Sequence, residues 1–482
     1  MGELSGQECD AVLLNSFVIK KQRCRVYFHR GVLIWESEGA PYSRVTLPLK
    51  DVVGVEYEHP SELSAYTNEV VCQGESPEEH TSFTLHYVVH AKHNKLRLSE
   101  VTLTHADPRQ VGSWVKTIRN FINELTYRPK SLLLFVNPFG GKKRGQKIYE
   151  KKVKPLLARA GIDTKVIITK YQNHAYETIL NYSFEGVDGV ACIGGDGTLA
   201  EVFNALVRHA AKEKGMLWLT LHGTSDVQTA VLHIILGESS GLDICSVHNE
   251  SSLLRYYASM LSYGYLGDVC KSSENYRWMG PKRYGYSGFR KILANRGYLS
   301  EVSLLANDDS PAVGTKCYKN CSKCLDDSSD VEKSSADWKT VKGKFFMVSG
   351  LSLACACPKV PNGLSPFCHI GDGCIDVVLV KHTSIINILR LLLCLSSKTG
   401  NILNLPFVEA HRAQEFSLQA TPDPKLELLD PGAPDAQTSV WNCDGELLQG
   451  TTIRIRVRRQ LVRMFSQRME EEEIEPSCFV CK

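Results

Sequence analysis

Net charge, an apolar leader and a membrane-length apolar run are what this 482-residue sequence has least of. Lysine and arginine number 56 against 53 acidic residues, a formal charge of +3. That is too little to make the chain a nucleic-acid binder by charge alone. Met1 to Asp10 is polar and acidic, without the apolar core of a secretory leader. The most apolar run, Ile385 to Leu395, is too short for a span and contains Arg390. These absences predict a cytoplasmic protein. Regular metal-ligand spacing is also missing. The 17 cysteines read as reduced thiols or, in part, as zinc ligands. Cys317, Cys321 and Cys324 are irregularly spaced for structural zinc, and Cys355, Cys357, Cys368, Cys374, Cys478 and Cys481 are further candidates. Present in good supply are apolar residues, 43%, with 23% charged. Such a chain buries proper cores, and its length allows about three domains.

The first 125 residues alternate in short strand-like runs: Leu13 to Ile19, Arg25 to His29, Val32 to Trp35, Val45 to Leu49, Val52 to Tyr57, Phe83 to His90 and Leu98 to Leu103. Pro108 then opens a helix whose apolar face carries Val111, Trp114, Val115, Ile118, Phe121 and Ile122. Antiparallel strands closed by one amphipathic helix resemble a pleckstrin-homology domain. Lys20, Lys21, Arg23 and Arg25 then sit where such domains hold inositol phosphates. The same residues also read as a solvated basic strand end. Thr126 to Lys130 reads as a linker.

From Ser131 the pattern changes to alternating strands and helices. Leu132 to Val136 is a buried parallel strand. It runs into Asn137-Pro138-Phe139-Gly140-Gly141 and a basic loop, Lys142 to Arg144, before a helix over 146–160. No Gly-Lys-Ser/Thr follows, so this is not a P-loop. Lys165 to Thr169 is the next strand and Tyr171 to Leu180 the next helix. The third unit is the centre of the chain. Asp188 to Ile193 is a strand, and Gly194-Gly195-Asp196-Gly197-Thr198 turns into a helix bearing Leu199, Val202, Phe203 and Leu206 on one face. Such glycines admit a phosphate to the backbone, and the helix start favours negative charge. An aspartate there repels phosphate, but suits a base for an acceptor hydroxyl or a magnesium anchor. Thr198 and Glu201 also form a capping box, which needs no nucleotide.

Together, Asn-Pro-x-Gly-Gly, Thr169 with Asn173-His174-Ala175, and Gly-Gly-Asp-Gly-Thr resemble the diacylglycerol-kinase-type catalytic domain. The N-terminal domain, Leu254-Arg255-Tyr256, Trp441 to Glu446 and the cysteine cluster narrow the resemblance to the ceramide kinase family. It implies ATP-dependent phosphorylation of a ceramide primary hydroxyl, with magnesium or else calcium as the cation. Sphingosine or diacylglycerol is the lesser alternative acceptor. On it, Asp196 matches the catalytic base, and Gly194, Gly195, Asp196 and Gly197 lie against substrate. Asn137, Pro138, Phe139, Thr169, Lys170, Tyr171, Gln172, Asn173 and Glu201 match nucleotide-binding positions. Arg277 and Arg283 match phosphate-binding arginines, with two surface arginines as the plain alternative. Asp444, Gly445 and Glu446 suit magnesium or the nucleotide ribose, although Asp-Gly-Glu is also an ordinary hairpin turn. The resemblance also implies peripheral association with Golgi or plasma membrane, with phosphoinositides as partners. Ile385 to Leu395 reads as core, or as a helix for calmodulin or a membrane surface.

The expected architecture is multidomain α+β. A pleckstrin-homology-like β-barrel with a C-terminal helix spans 1–125. An α/β nucleotide-binding lobe with a parallel sheet spans 131–237, a β-sandwich lobe 239–465, and an acidic, cysteine-containing tail 466–482. One segment departs from the family pattern. After the Asp196 helix the family has a strand and a Pro-x-Gly-Ser-Thr-Asp loop, whereas here only 210–230 is available. Either Gly223-Thr224-Ser225-Asp226 is that loop without its proline, or strand and loop are missing. The second reading is favoured and makes a catalytically impaired, lipid-binding protein the rival function.

Overall fold

The computed structural model describes residues 13–39, 41–58, 80–91, 95–139, 143–213, 218–219, 226–237, 239–280, 282–306, 324, 338–357, 359–422 and 438–465. The N-terminal strands are β1 (Leu13–Ile19), β2 (Gln22–His29), β3 (Val32–Ser37), β4 (Arg44–Pro48), β5 (Val52–Tyr57), β6 (Ser82–Ala91) and β7 (Lys95–Thr104). They form one antiparallel sheet in the order β4-β3-β2-β1-β7-β6-β5. Helix α1 (Pro108–Glu124) closes it. Asp107 caps α1 by accepting from the Arg109 N–H at 2.9 Å. Trp114 packs edge-on to Phe17 at 5.3 Å in the centre of the barrel core. The strand alternation predicted this barrel because each strand has one buried face.

The parallel strands are β8 (Ser131–Val136), β9 (Asp163–Ile168) and β10 (Gly189–Ile193), with β8 between the other two. The helix expected over 146–160 is α2 (Gly145–Ile148), a π turn at Tyr149–Val153 and α3 (Lys154–Arg159). The π turn accommodates Pro155, which cannot donate to an ordinary helical ladder. Helices α4 (His174–Leu180), α5 (Asp196–Glu213) and α6 (Val227–Leu236) follow, with the short β11 (Trp218–Leu219) before α6. Because α5 starts at Asp196, Thr198 lies inside its first turn. The expected capping box, which needs Thr198 outside the helix, gives way to this earlier start.

The described residues of 1–170, 184–195 and 224–238 form one compact unit, and those of 171–183, 196–223 and 239–482 a second. Residues 126–130 are therefore more than a tether. Arg128 is buried, and its guanidinium donates to the carbonyls of Val52 at 2.7 Å and Lys50 at 2.5 Å. A Cβ on Gly54 would lie 2.0 Å from the Arg159 carbonyl oxygen, so the barrel meets α3 in backbone contact. Helix α6 completes the join. Asp226 caps it, accepting from the Thr229 N–H at 3.1 Å, and also takes a 2.6 Å ion pair from Arg97 of β7. The buried Thr229 hydroxyl accepts from the Leu96 N–H at 3.0 Å. Burial pushes the Asp226 carboxyl up, but hydrogen bonds from Thr229 and Arg97 outweigh it and hold the group below the usual range.

The second unit is mainly antiparallel. It holds β12 (Ser239–His248), β13 (Leu253–Tyr257), β14 (Met260–Gly264), α7 (Tyr265–Ser273), α8 (Lys282–Ala294), β15 (Tyr298–Ala306), β16 (Trp338–Leu351) and β17 (Ile375–Lys381). These are followed by α9 (Ile385–Ser396), β18 (Val408–Ala420), β19 (Trp441–Cys443), β20 (Glu446–Leu448) and β21 (Thr452–Phe465). Long strands β16 and β18 change neighbours along their length: each pairs with β15 over one half and β17 over the other. That exchange wraps the sheet around a core of Tyr257, Phe345, Phe416 and Trp441. The apolar run Tyr256 to Leu261 is broken at Ala258 and Ser259 into β13 and β14. Strand β11 pairs in parallel with Arg463 and Met464 of β21.

Candidate active site

The first group of expected residues sits at the C-terminal edge of the parallel sheet. Asn137 donates its N–H to the Ile193 carbonyl at 2.8 Å, and Thr169 to the Val136 carbonyl at 2.9 Å. The ladder thus brings Asn137, Thr169 and Gly194 to one edge. The Asn137 side chain accepts from the Phe139 N–H at 2.8 Å, folding Asn137-Pro138-Phe139 into a tight turn. Gly145 lets α2 begin against that turn, since a Cβ there would lie 2.3 Å from the Asn137 carbonyl oxygen. Lys170 is exposed beside buried Thr169. Gly140, Gly141 and Lys142 lie outside the described residues. Gly194 and Gly195 are exposed, and a methyl on Gly195 would meet nothing of the chain within 4 Å.

The second group lines a cavity of about 310 Å³ in the other unit. Gln172 and Asn173 reach it from the start of α4, Gly197 and Glu201 from α5, and Glu446 from β20. Asn173 adopts φ +69°, the left-handed region that asparagine tolerates, at the point where the chain turns into α4. Tyr171 is exposed and hydrogen-bonds Glu177 at 2.9 Å. Gly197 is bare in the same way as Gly195, with nothing within 4 Å of a built Cβ and no positive φ. Neither packing nor backbone conformation requires glycine there. Asp196 is the first residue of α5.

The cavity also contains residues that motif reading missed: Tyr176, Asn204, Arg208, Leu254 and Arg255. A signal for two of them was available. Gly197, Glu201, Asn204 and Arg208 fall at helical spacing on one face of α5, opposite buried Val202, Phe203 and Leu206. Arg255, on β13, is ion-paired with Glu446. Burial pulls its guanidinium down, but the Glu446 carboxylate raises it further. Leu254 and Arg255 carried the family resemblance without a role, and the fold puts both in the cavity wall.

Four expected residues are engaged elsewhere. Asp444 and Gly445, at φ +47° and +91°, form the two-residue turn between β19 and β20. The Asp444 carboxylate accepts from the N–H groups of Ala258 at 2.8 Å, Ser259 at 3.2 Å and Met260 at 2.8 Å, and from the Ser259 hydroxyl. With these donors Asp444 clamps the β13–β14 turn, and its carboxylate is engaged within the chain. Arg277 and Arg283 share Glu274: the Arg277 Nε donates to it at 2.6 Å, and an Arg283 Nη1 lies 3.3 Å away. The two arginines are thus held around one anion, outside the cavity lining.

At the β1–β2 turn, Lys20 and Lys21 both take positive φ, +49° and +66°, and project as a two-residue hairpin tip. Arg23 pairs with Glu38 at 3.2 Å, and Arg25 lies under the field of Tyr27, Glu38 and Glu36. Among the described residues no group of three or more His, Cys, Asp or Glu is placed to hold a metal ion. Cys324 is buried, while Cys317 and Cys321 lie outside the described residues. No helix of the described residues is long and apolar enough to cross a membrane.

Comparisons with known proteins follow this division of the chain. Residues 13–118 match the ceramide kinase PH domain, 131–247 the diacylglycerol kinase catalytic domain and 257–482 the ceramide kinase C-terminal domain. The chain is 31% identical to the ceramide kinase of Mus musculus, over 94% of this chain and 97% of that one. It is 32% identical to the ceramide kinase of Homo sapiens, over 94% and 96%. It is 27% identical to a ceramide kinase-like protein of Homo sapiens, over 80% and 78%. The alignment to the mouse protein extends over 520 positions, more than the 482 residues present here, so it opens gaps in this chain.

Proposed function

The chain belongs to the ceramide kinase family and is thereby an ATP-dependent lipid kinase; from that premise we propose that it phosphorylates the primary hydroxyl of ceramide to give ceramide 1-phosphate. In the transfer, the hydroxyl oxygen bonds to the γ-phosphorus as the bond from that phosphorus to the β–γ bridging oxygen breaks. ADP leaves, and the hydroxyl proton passes to the carboxylate of Asp196. Gly194, Gly195 and Gly197 present bare backbone to the reacting groups. Asn137, Pro138, Phe139, Thr169 and Lys170 at the sheet edge bind nucleotide, with Tyr171, Gln172, Asn173, Glu201 and Glu446. Arg277 and Arg283 bind its phosphates by exchanging Glu274 for them.

The observation that carries this reading is the shared lining of one cavity by Gln172, Asn173, Gly197, Glu201 and Glu446. These residues come from three stretches far apart in sequence, picked out for one chemistry. Magnesium fits the donor set through Glu201, an oxygen donor facing the cavity, whereas Asp444 is saturated by backbone donors. When bound, the ion neutralises charge on the phosphates.

The rival is a lipid-binding protein whose kinase lobe is impaired by the short 210–230 segment. It is favoured by the engagement of Asp226 with Arg97 and Thr229, which leaves that residue unsuited to a nucleotide loop. Purified protein incubated with radiolabelled ATP and ceramide in mixed micelles decides between the two. Ceramide 1-phosphate formed well above an Asp196→Asn control supports the kinase; product equal to that control supports the rival. Sphingosine and diacylglycerol micelles, run in parallel, test the acceptor.

A further inference from the structure

Helices α8 and α9 are amphipathic the wrong way round for a core element. Each buries a narrow stripe in one shared cluster: Ile292 from α8, and Ile388 and Leu391 from α9. Each also turns a second apolar stripe to solvent. On α8 it is Tyr286, Phe289 and Leu293; on α9 it is Ile386, Leu389 and Leu393. Both stripes have the same i, i+3, i+7 spacing, one side of a helix. Phe289 is 61% exposed, Leu293 58%, Ile386 72% and Leu393 70%. Trp278, in the short 3₁₀ turn that leads to α8, is 82% exposed. Scattered exposed apolar residues mean little, but two adjoining stripes and a tryptophan form a patch that calls for a partner.

The two helices are fastened together. The Asn295 side chain donates to the Thr383 carbonyl at 2.9 Å, and a His382 ring nitrogen meets the Asn295 carbonyl at 2.9 Å. The end of α8 and the start of α9 therefore move as one piece.

Charge identifies the partner. No acidic residue occurs from Asn275 to Ser300 or from Lys381 to Val408. Those stretches contain Arg290, Lys291, Arg296, Arg390 and Lys398. Arg290, Arg296, Arg390 and Lys398 are exposed, and among the described residues none of them makes an ion pair. Aromatic and aliphatic side chains rimmed by unpaired cations suit one surface above others, the headgroup and upper acyl region of an anionic bilayer. We propose that the α8–α9 face is a membrane-docking surface of the kinase lobe, additional to the pleckstrin-homology domain, and that its occupant is a bilayer containing anionic phospholipid.

A calmodulin-like protein is the other class that takes basic apolar helices. It encloses its target helix, so it would have to pull Ile388 and Leu391 out of the core and leave the α8 half of the patch unused. A bilayer uses both helices as they stand.

The test is vesicle cosedimentation of the full chain, without ATP or ceramide. Its failure is thereby distinguishable from failure of the ceramide reading. Vesicles are phosphatidylcholine alone or with phosphatidylserine, free of phosphoinositide. A Lys20→Ala/Arg25→Ala background removes the hairpin contribution. In that background, Phe289→Glu/Leu393→Glu should lower partitioning onto serine-containing vesicles about tenfold or more. Arg290→Glu/Arg390→Glu should abolish the preference for them over phosphatidylcholine. Melting temperature confirms that the variants fold. Should either variant be unfolded, Trp278 emission is the second reading, taken as wild type minus Trp278→Phe. Bromine-labelled acyl chains should quench it. Unchanged partitioning in both folded variants overturns the proposal, as does unquenched Trp278. So does a loss confined to calcium-dependent calmodulin binding.

Discussion

Two aspartates in this chain stand at helix starts behind glycine-containing segments, in different surroundings. Asp196 opens α5, and the face of α5 that begins one residue later lines the candidate cavity through Gly197, Glu201 and Asn204. Asp226 caps α6 and is held by Arg97, Thr229 and their neighbours in the join between barrel and parallel sheet. A helix start welcomes negative charge in both cases. Around Asp226 the fold provides an arginine, a hydroxyl and a backbone N–H, so the carboxylate is satisfied internally. The glycine after Asp196 is bare, with no atom of the chain within 4 Å of a built Cβ. Asp226 is thereby a structural residue, whereas Asp196 is the residue we propose as the base.

The comparison breaks most readily at Asp196. Asp196→Asn should cut ceramide kinase turnover on the order of 10²–10⁴-fold, typical of a lost general base. Its melting temperature should stay near wild type. Turnover within about threefold of wild type would remove Asp196 from the role.

A smaller effect is expected from lengthening the segment before Asp226. Inserting about twenty-five residues between Gly215 and Gly223, the size of one strand-plus-loop unit, with a Pro-x-Gly-Ser-Thr-Asp loop, should raise turnover about tenfold or more. The clasp to Arg97 should remain, so thermal stability should not fall. If the chain as it stands already matches the longer form in ATP affinity and turnover, Gly223 to Asp226 serves as the nucleotide loop and the contrast between the two aspartates disappears.

Asp226→Ala should be felt in stability rather than chemistry. Losing a helix cap and a partly exposed ion pair costs about 1–2 kcal/mol, read as a lower midpoint in urea, with turnover on micellar ceramide unchanged. The pH dependence has a definite sign. The folded carboxyl lies below its unfolded value of about 3.9, so its contribution is fully present above that value and is lost as pH falls through the folded one. The gap between wild type and Asp226→Ala should therefore shrink below about pH 4. A gap that persists unchanged in acid would mean that the carboxylate's charge is irrelevant.

The smallest effect concerns the β1–β2 tip, where the same contrast is drawn in basic residues. Arg23 has Glu38 as partner and Arg25 lies near Glu36 and Glu38, whereas the cations of α8 and α9 have no acid near them in sequence. Lys20→Ala/Arg25→Ala should weaken binding to anionic vesicles by ~1 kcal/mol per residue or less, without changing turnover on detergent-solubilised lipid. Unchanged vesicle binding would make the barrel a structural module and leave docking to the α8–α9 face.

Much of this was legible along the chain. Strand alternation marked the barrel, Pro108 marked the start of α1, and apolar runs ending in glycine marked β8 and β10, because periodicity and backbone freedom are local properties. Gly194 to Gly197 and Glu201 could be named for the same reason. Local signals failed where a partner lies far away in sequence. Ala258 and Ser259 break a run that looks continuous because Asp444, 186 residues on from Ala258, supplies the acceptor that turns the chain there. In Asp-Gly-Glu, sequence alone treats both carboxylates as ligands. The fold engages one with backbone donors and sets the other in the cavity lining, paired with Arg255. Arg97 and Asp226, 129 residues apart, carry no motif at all. Their pairing exists because β7 and α6 pack in one unit. Which partner engages each acid depends on donors brought by distant strands, and only the folded chain brings them within hydrogen-bond reach.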